Sequence, residues 1–250
     1  MVYNKIMEFA AELLFPSRCV ICEEILPQQM EHPVRESCIC ASCRKKIYPV
    51  GEHFCMRCGK PLGRHGQQKE YCSDCRSKKH EFVQGRGVYI YRGEMIKSMY
   101  RFKYSNCRVY AKTYAQEAVR RHGRWLEQIG VEAILPVPLH KKREQTRGYN
   151  QAKLLADEIG KLTGIPVIAD LFVRTAKTVP QKQLNDEERK NNLKNAFKLS
   201  KNSVQLEKVL LVDDIYTTGS TVDAAARTLK DAGIRQIYVL CFCIGEEYSD

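Results

Sequence analysis

Apolar positions change their rhythm twice along this chain of 250 residues. The opening stretch, VYNKIMEFAAELLFP, sets Ile6, Phe9, Leu13 and Leu14 on one helical face, and Pro16 ends it. That face is expected to dock on the rest of the protein. Large apolar residues are then scarce until about Gly85, where the texture becomes that of a buried domain. GVYIYRG reads as a strand or hairpin arm. EMIKSMYRFKY and VYAKTYAQEAVRRHGRWLEQIG carry helical spacing, the second closing at Gly130. EAILPVPL predicts a short buried strand running into a proline-marked loop. NQAKLLADEIGKLTG predicts an amphipathic helix with Gly164 beyond its end, and IPVIADLFV is a further strand candidate. A polar stretch over 174–194 and AFKLSK lead to the run VLLVDDIYTTGST, the helix TVDAAARTLKDAG and a last strand, QIYVLCFCI. Strands separated by helices imply crossover connections and a largely parallel sheet. The expected class is α/β, with a first unit over residues 1–82 and the α/β unit over 83–250.

The first unit is organised by cysteine instead. Eight of the twelve cysteines form four C-x-x-C pairs: Cys19/Cys22, Cys40/Cys43, Cys55/Cys58 and Cys72/Cys75. Each pair turns the chain so that two thiolates face one ion, and two pairs complete a tetrahedral zinc site. Two Zn²⁺ are expected, bound by Cys19, Cys22, Cys40 and Cys43 and by Cys55, Cys58, Cys72 and Cys75. The sequence does not exclude a cross-braced arrangement, in which alternate pairs share an ion. A disulfide framework would need an oxidising compartment, and no export signal is visible. Cys38 is a spare beside Cys40. Cys241 and Cys243 alternate in an apolar run and are expected to pack as small apolar groups, while His53 and His65 are expected to face solvent. With so few large apolar residues here, metal is expected to supply most of the folding energy.

Charge adds a preference for partners. The formal net charge is +12, from 41 basic and 29 acidic residues, which favours anionic ligands. No run of about 18 apolar residues exists to span a bilayer, so membrane insertion is not expected and a cytoplasmic location is.

The candidate chemistry lies in VLLVDDIYTTGST. Asp213 and Asp214 end a buried strand, and a helix begins near Ser220 or Thr221. Ligands of open α/β sheets bind beyond the carboxyl ends of the strands, and a helix N-terminus offers unpaired N–H groups to a phosphate. Gly219 allows close approach, and Thr217, Thr218, Ser220 and Thr221 add hydroxyl donors. Two acids beside a phosphate suit vicinal ribose hydroxyls with Mg²⁺ nearby, so the ligand class is a ribose 5-phosphate. A Walker B strand is excluded because no G-x-x-x-x-G-K-[ST] accompanies it. A response-regulator receiver needs more chain after its acid pair than remains.

VLLVDDIYTTGST resembles the phosphoribosyl-pyrophosphate (PRPP) motif of type I phosphoribosyltransferases. Together with the four cysteine pairs, LPVPLHKKREQTRGYNQA and PQKQLNDEERKNN, it makes the chain similar to the ComF family of competence-associated proteins over nearly its whole length. The resemblance implies a small double zinc ribbon before a type I phosphoribosyltransferase-like domain. It implies that Asp213 and Asp214 hold the ribose hydroxyls and that Thr217, Thr218, Gly219, Ser220 and Thr221 cradle the 5-phosphate. Val137, Pro138, His140 and Arg147 would approach the pyrophosphate, with Lys141, Lys142 and Arg143 in the same loop. Asp213, Asp214 and Arg147 would carry any transfer chemistry, with Mg²⁺ accompanying PRPP. The polar stretch with Arg174, Gln181, Arg189 and Asn192 sits where such enzymes carry a closing loop. Purine-salvage members use an aspartate where this chain has Thr217, so purine salvage is not implied.

Residues 92–124 hold Arg92, Lys97, Arg101, Lys103, Arg108, Lys112, Arg120, Arg121 and Arg124, interleaved with Tyr100, Phe102, Tyr104, Tyr110 and Tyr114 and preceded by Tyr91. Cations for phosphates and aromatics for bases suit single-stranded DNA. The family's link with natural transformation implies a role in handling imported single-stranded DNA, with a helicase-like competence protein as a possible partner of the ribbons. The alternative is a metabolic phosphoribosyltransferase with an unidentified acceptor and no DNA role.

Overall fold

The computed structural model describes residues 16–27, 37–63, 69–175, 196–200 and 205–246. The N-terminal amphipathic stretch, His65, Gln181, Arg189 and Asn192 lie outside them. Two short helices belong to the cysteine-rich region, α1 (Ala41–Arg44) and α2 (Ser73–Ser77). The second region contains β1 (Gln84–Ile90), α3 (Glu94–Tyr104), α4 (Tyr110–Ile129), β2 (Ala133–Pro136), α5 (Lys141–Arg147) and α6 (Gln151–Thr163). It continues with β3 (Phe172–Arg174), β4 (Phe197–Leu199), β5 (Lys208–Tyr216), α7 (Ser220–Asp231) and β6 (Gln236–Ile244).

Four strands form one sheet in the order β1-β6-β5-β2, every pair parallel, with Val209 opposite Ile237 and Ala133 opposite Val209. The apolar run in β5 follows from burial on both faces. Leu210 and Val212 pack with Leu240, Phe242 and the inner sides of α3, α4 and α6. Val209 and Leu211 pack with Ile237, Val239 and α7 on the other face. The expected α/β class is therefore observed. GVYIYRG is a strand, as expected, but not a hairpin arm: β1 runs parallel to β6. Its free edge is covered by 48–50, through Ile90 N–H to the Tyr48 carbonyl (2.7 Å) and Val50 N–H to the Val88 carbonyl (3.1 Å).

Two other expectations change. IPVIADLFV joins the sheet only by a single bridge between Ile134 and Val167, because Pro166 offers a carbonyl but no N–H to a ladder. Its last residues form β3, which pairs antiparallel with β4 as a separate ribbon. The proline-marked loop after β2 contains α5, seven residues capped by His140.

The ribbons pack into the same core as the sheet. Val20, Ile21, Ile39 and Ile47 are buried with Met95, Met99 and Tyr114. Ser98 donates to the Val20 carbonyl, and Arg101 donates to the Ile21 carbonyl and pairs with Glu23 (3.4 Å). Glu117 on α4 is fully buried, yet its carboxyl is held down to about 2: burial opposes this, but hydrogen bonds from Arg120 (2.5 Å) and Tyr89 (2.8 Å) and the charge of Arg44 (3.0 Å) outweigh it. Arg44 belongs to α1, so this network ties the first ribbon to α4. The second ribbon lies so close to β1 that a Cβ on Gly59 would meet the Gly85 carbonyl at 2.8 Å. Cys241 and Cys243 are buried, as expected for small apolar packing.

Candidate functional site

β5 stays apolar until its carboxyl end, where Asp213 and Asp214 emerge. Val137 N–H donates to the Val212 carbonyl (2.9 Å), which brings the segment after β2 to the same level. Asp214 is buried and pairs through Oδ2 with Lys103 Nζ (2.9 Å), from the last turn of α3. Burial would weaken the Lys103 ammonium, but Asp214 and Asp213 together outweigh it and its pKa rises. Asp213 is pushed up to about 7, by burial first and by the Asp214 charge second. Near neutrality the acids therefore bear less than their full charge, and Lys103 balances Asp214. This arrangement reduces the repulsion that two bare carboxylates would exert on a phosphate.

The loop beyond β5 starts α7 without a side-chain cap. Thr217 and Thr218 are exposed, and the Thr218 and Ser220 hydroxyls lie 2.9 Å apart. Gly219 sits at φ 75°, and a Cβ there would meet Cζ of Tyr216 at 2.7 Å, so both conformation and space require glycine. Uncapped N–H groups at the positive end of a helix suit an anion.

The segment after β2 supplies the cations. Val137 is buried, whereas Pro138 and His140 are half-buried. His140 Nδ1 accepts from Lys142 N–H (3.2 Å) and starts α5, which leaves Lys141, Lys142 and Arg143 exposed. Arg147 donates to Gln151 Oε1 (3.0 Å) and Tyr104 Oη (2.9 Å), with its guanidinium 4.8 Å from the Tyr104 ring centre. It lies near enough to Lys103 for the two charges to interact. Arg174, its guanidinium weakened by burial, interacts electrostatically with Arg143 and Asp213 and is bridged through its backbone to His140. Thus Asp213, Asp214, Arg147 and Arg174 are brought to one end of the sheet.

Lys103 is the residue misjudged from sequence, where it reads as one more surface cation. The other cations of 92–124 are also largely engaged within the chain. Arg92 pairs with Glu246 (2.7 Å), Lys97 with Glu94 (2.9 Å), Arg120 with Glu117, and Arg108 donates to the Gly148 carbonyl (3.2 Å). Phe102, Tyr110 and Tyr114 are core residues. Tyr100 and Tyr104 remain exposed, at 62% and 56%, with rings 4.9 Å apart.

The cysteines gather sequentially rather than in the cross-braced way. Cys19, Cys22, Cys40 and Cys43 converge with their sulfurs within 4.8 Å, and Cys55, Cys58, Cys72 and Cys75 do the same. Sulfurs of Cys22 and Cys40 stand 3.9 Å apart, and those of Cys58 and Cys72 stand 3.6 Å apart. A tetrahedron with Zn–S bonds of about 2.3 Å has edges of about 3.8 Å, which these two separations match. Backbone N–H groups of Cys40 and Cys43 point at the Cys19 and Cys40 sulfurs (3.4 Å each), as thiolates require. Cys38 stays outside the cluster and His53 is exposed. No helix among the described residues is long and apolar enough to cross a membrane.

Comparison with known proteins follows these two halves. A double zinc ribbon domain matches residues 10–76, and a phosphoribosyl transferase domain matches residues 145–249. Competence protein F of Haemophilus influenzae is 32% identical over 90% of this chain and 96% of its own length. Competence protein ComFC of Bacillus subtilis is 29% identical over 78% of this chain and 79% of its own. The DNA utilization protein YhgH of Salmonella typhi is 28% identical over 92% and 98%. With its two four-cysteine clusters, its parallel sheet and this likeness along almost the whole chain, the protein belongs to the ComF family of competence proteins.

Proposed function

We propose that the protein binds PRPP with Mg²⁺ at the carboxyl end of β5 and acts in competence, handling imported single-stranded DNA in the cytoplasm. One observation carries the ligand: an acid pair with its own balancing lysine, directly followed by an uncapped, hydroxyl-rich helix start. In this reading Asp213 and Asp214 take the ribose hydroxyls, Thr217 to Thr221 the 5-phosphate, and Val137, Pro138, His140 and Arg147 the pyrophosphate side. Mg²⁺ would offset the pyrophosphate charge. The names of the relatives, competence protein and DNA utilization protein, support the biological role. Calorimetric titration of PRPP with Mg²⁺ is expected to show binding to the wild type and none to Asp213→Asn/Asp214→Asn. A wild type that is folded and zinc-loaded yet silent to PRPP would remove the ligand reading.

The engagement of so many cations in internal pairs favours a second reading, a metabolic phosphoribosyltransferase without a DNA role. Arg101 and Lys103 cannot separate the two, since they hold the first ribbon and the acid pair. Tyr100 can, because its ring is exposed, beside that of Tyr104. The DNA reading expects salt-sensitive binding of oligothymidine that weakens several-fold in Tyr100→Ala, as loss of one base stack would produce. Absence of such binding leaves the metabolic reading.

A further inference from the structure

The loop Thr217–Thr221 is gripped at both ends by the residues that follow the last ligand of the second cluster. On its entry side, Tyr216 meets Phe82 edge-on, ring centres 6.3 Å apart at 87°. Both rings belong to the core that also contains Cys55, Cys58 and Cys72. Gly219 in turn lies against the Tyr216 ring, so the position of that ring determines where the loop can run.

On its exit side, Asp223 in the first turn of α7 is buried and turned away from the helix start. Its carboxylate takes Lys78 Nζ (2.6 Å), His80 Nδ1 (2.9 Å) and the Glu81 N–H (3.1 Å). The carboxylate only accepts, so Nδ1 carries the His80 proton. His80 also stacks on Phe82, ring centres 5.0 Å apart, which joins the two grips. Lys78 directly follows α2, the helix that carries Cys75. The described part of the first ribbon is held elsewhere: its carbonyls at Val20 and Ile21 are bound by Ser98 and Arg101 of α3.

An acid in the first turn of an anion-binding helix is ordinarily a competitor, because it can cap the free N–H groups or repel the ligand. Here Lys78 and His80 hold it off. We propose that the Cys55–Cys58–Cys72–Cys75 cluster, through Tyr216 and through the grip of Lys78 and His80 on Asp223, sets the conformation of the 217–221 loop, so that zinc in the second ribbon governs anion binding at α7. Residues 78–82 are the positioning segment, and loss of the metal frees both the loop and the Asp223 charge. For its ligand this inference rests on the sugar-phosphate reading above; the coupling itself does not depend on it.

The test uses full-length Cys75→Ser, with zinc counted by colorimetric chelation and the loop followed by hydrogen exchange without ligand. Zinc is expected to fall from two per chain to one, and exchange over 217–223 to accelerate by about tenfold or more while 209–212 stays protected. Affinity for PRPP with Mg²⁺ should fall by a similar factor. If Cys75→Ser does not fold, Lys78→Ala/His80→Ala decides, since it keeps every zinc ligand: two zincs should remain and the loop should still exchange faster. Unchanged loop exchange in a folded variant overturns the proposal. Failure of PRPP to bind the wild type removes only the ligand reading, because the exchange measurement still reports the coupling.

Discussion

Asp213 departs from what its letter suggests. Its carboxyl is raised to about 7, so between the ordinary aspartate value and about 7 the folded state retains a proton that the unfolded chain has lost. The cost to stability is absent below about pH 4, grows as pH rises, and is complete above about pH 7. Asp213→Asn should therefore melt higher than wild type at pH 8, with a gain that shrinks towards nothing at pH 4. Thermal melts across that range check it, and a gain independent of pH would refute the assignment. Lys103 shows the limit of reading at this scale. It and Tyr100 lie on one helix, three residues apart, and sequence treats both as parts of a basic aromatic face. Only the fold reveals that one side chain ends on Asp214 and the other in water. The reach of a lysine is long, and helical period says nothing about where its end goes.

Elements were more legible where burial imposed a pattern. β5 and β6 are apolar on both faces and were visible as runs, and α4 and α6 showed their stripes and terminal glycines. α5 was hidden because KKREQTR has no apolar stripe; it exists through the His140 cap and the fixed chain on either side. The start of α7 was legible to within a residue, near Ser220 or Thr221, but Gly219 was read only as room for a ligand; the left-handed backbone that calls for glycine there is seen only in the fold. Gly219→Ala should cost about 1–2 kcal/mol for the left-handed backbone, plus the overlap with Tyr216. Urea titration should show the midpoint fall with an unchanged slope, and PRPP affinity should fall with it.

At the scale of the whole molecule, the cysteine spacing foretold two clusters but not their attachment. Ribbon residues share a core with α3 and α4, and Glu117 binds Arg44 from the ribbon and Arg120 from its own helix. Deleting residues 1 to 80 to probe a partner would strip Ile21, Ile39 and Ile47 from that core, so it cannot isolate a docking role. Chelation of zinc should instead lower the melting temperature of the entire chain in one transition, followed by circular dichroism. Two well-separated transitions, with the sheet melting as before, would contradict the shared core.

The strand order β1-β6-β5-β2 also dictates a timetable for synthesis. Of the four strands of this sheet, the one made latest is inserted between β1 and β5. Until β6 emerges, β1 has no ladder partner in the sheet, and the apolar faces of β5 lack their neighbour. The ribbons, with ligands close in sequence, can take up metal early, whereas the sheet is completed only once residues 236–244 have been made. A message cut short before residue 236 would therefore yield chains with metal-loaded ribbons and an unpaired, aggregation-prone parallel sheet. For such a protein, the codons of β6 decide whether the strands translated before it are useful.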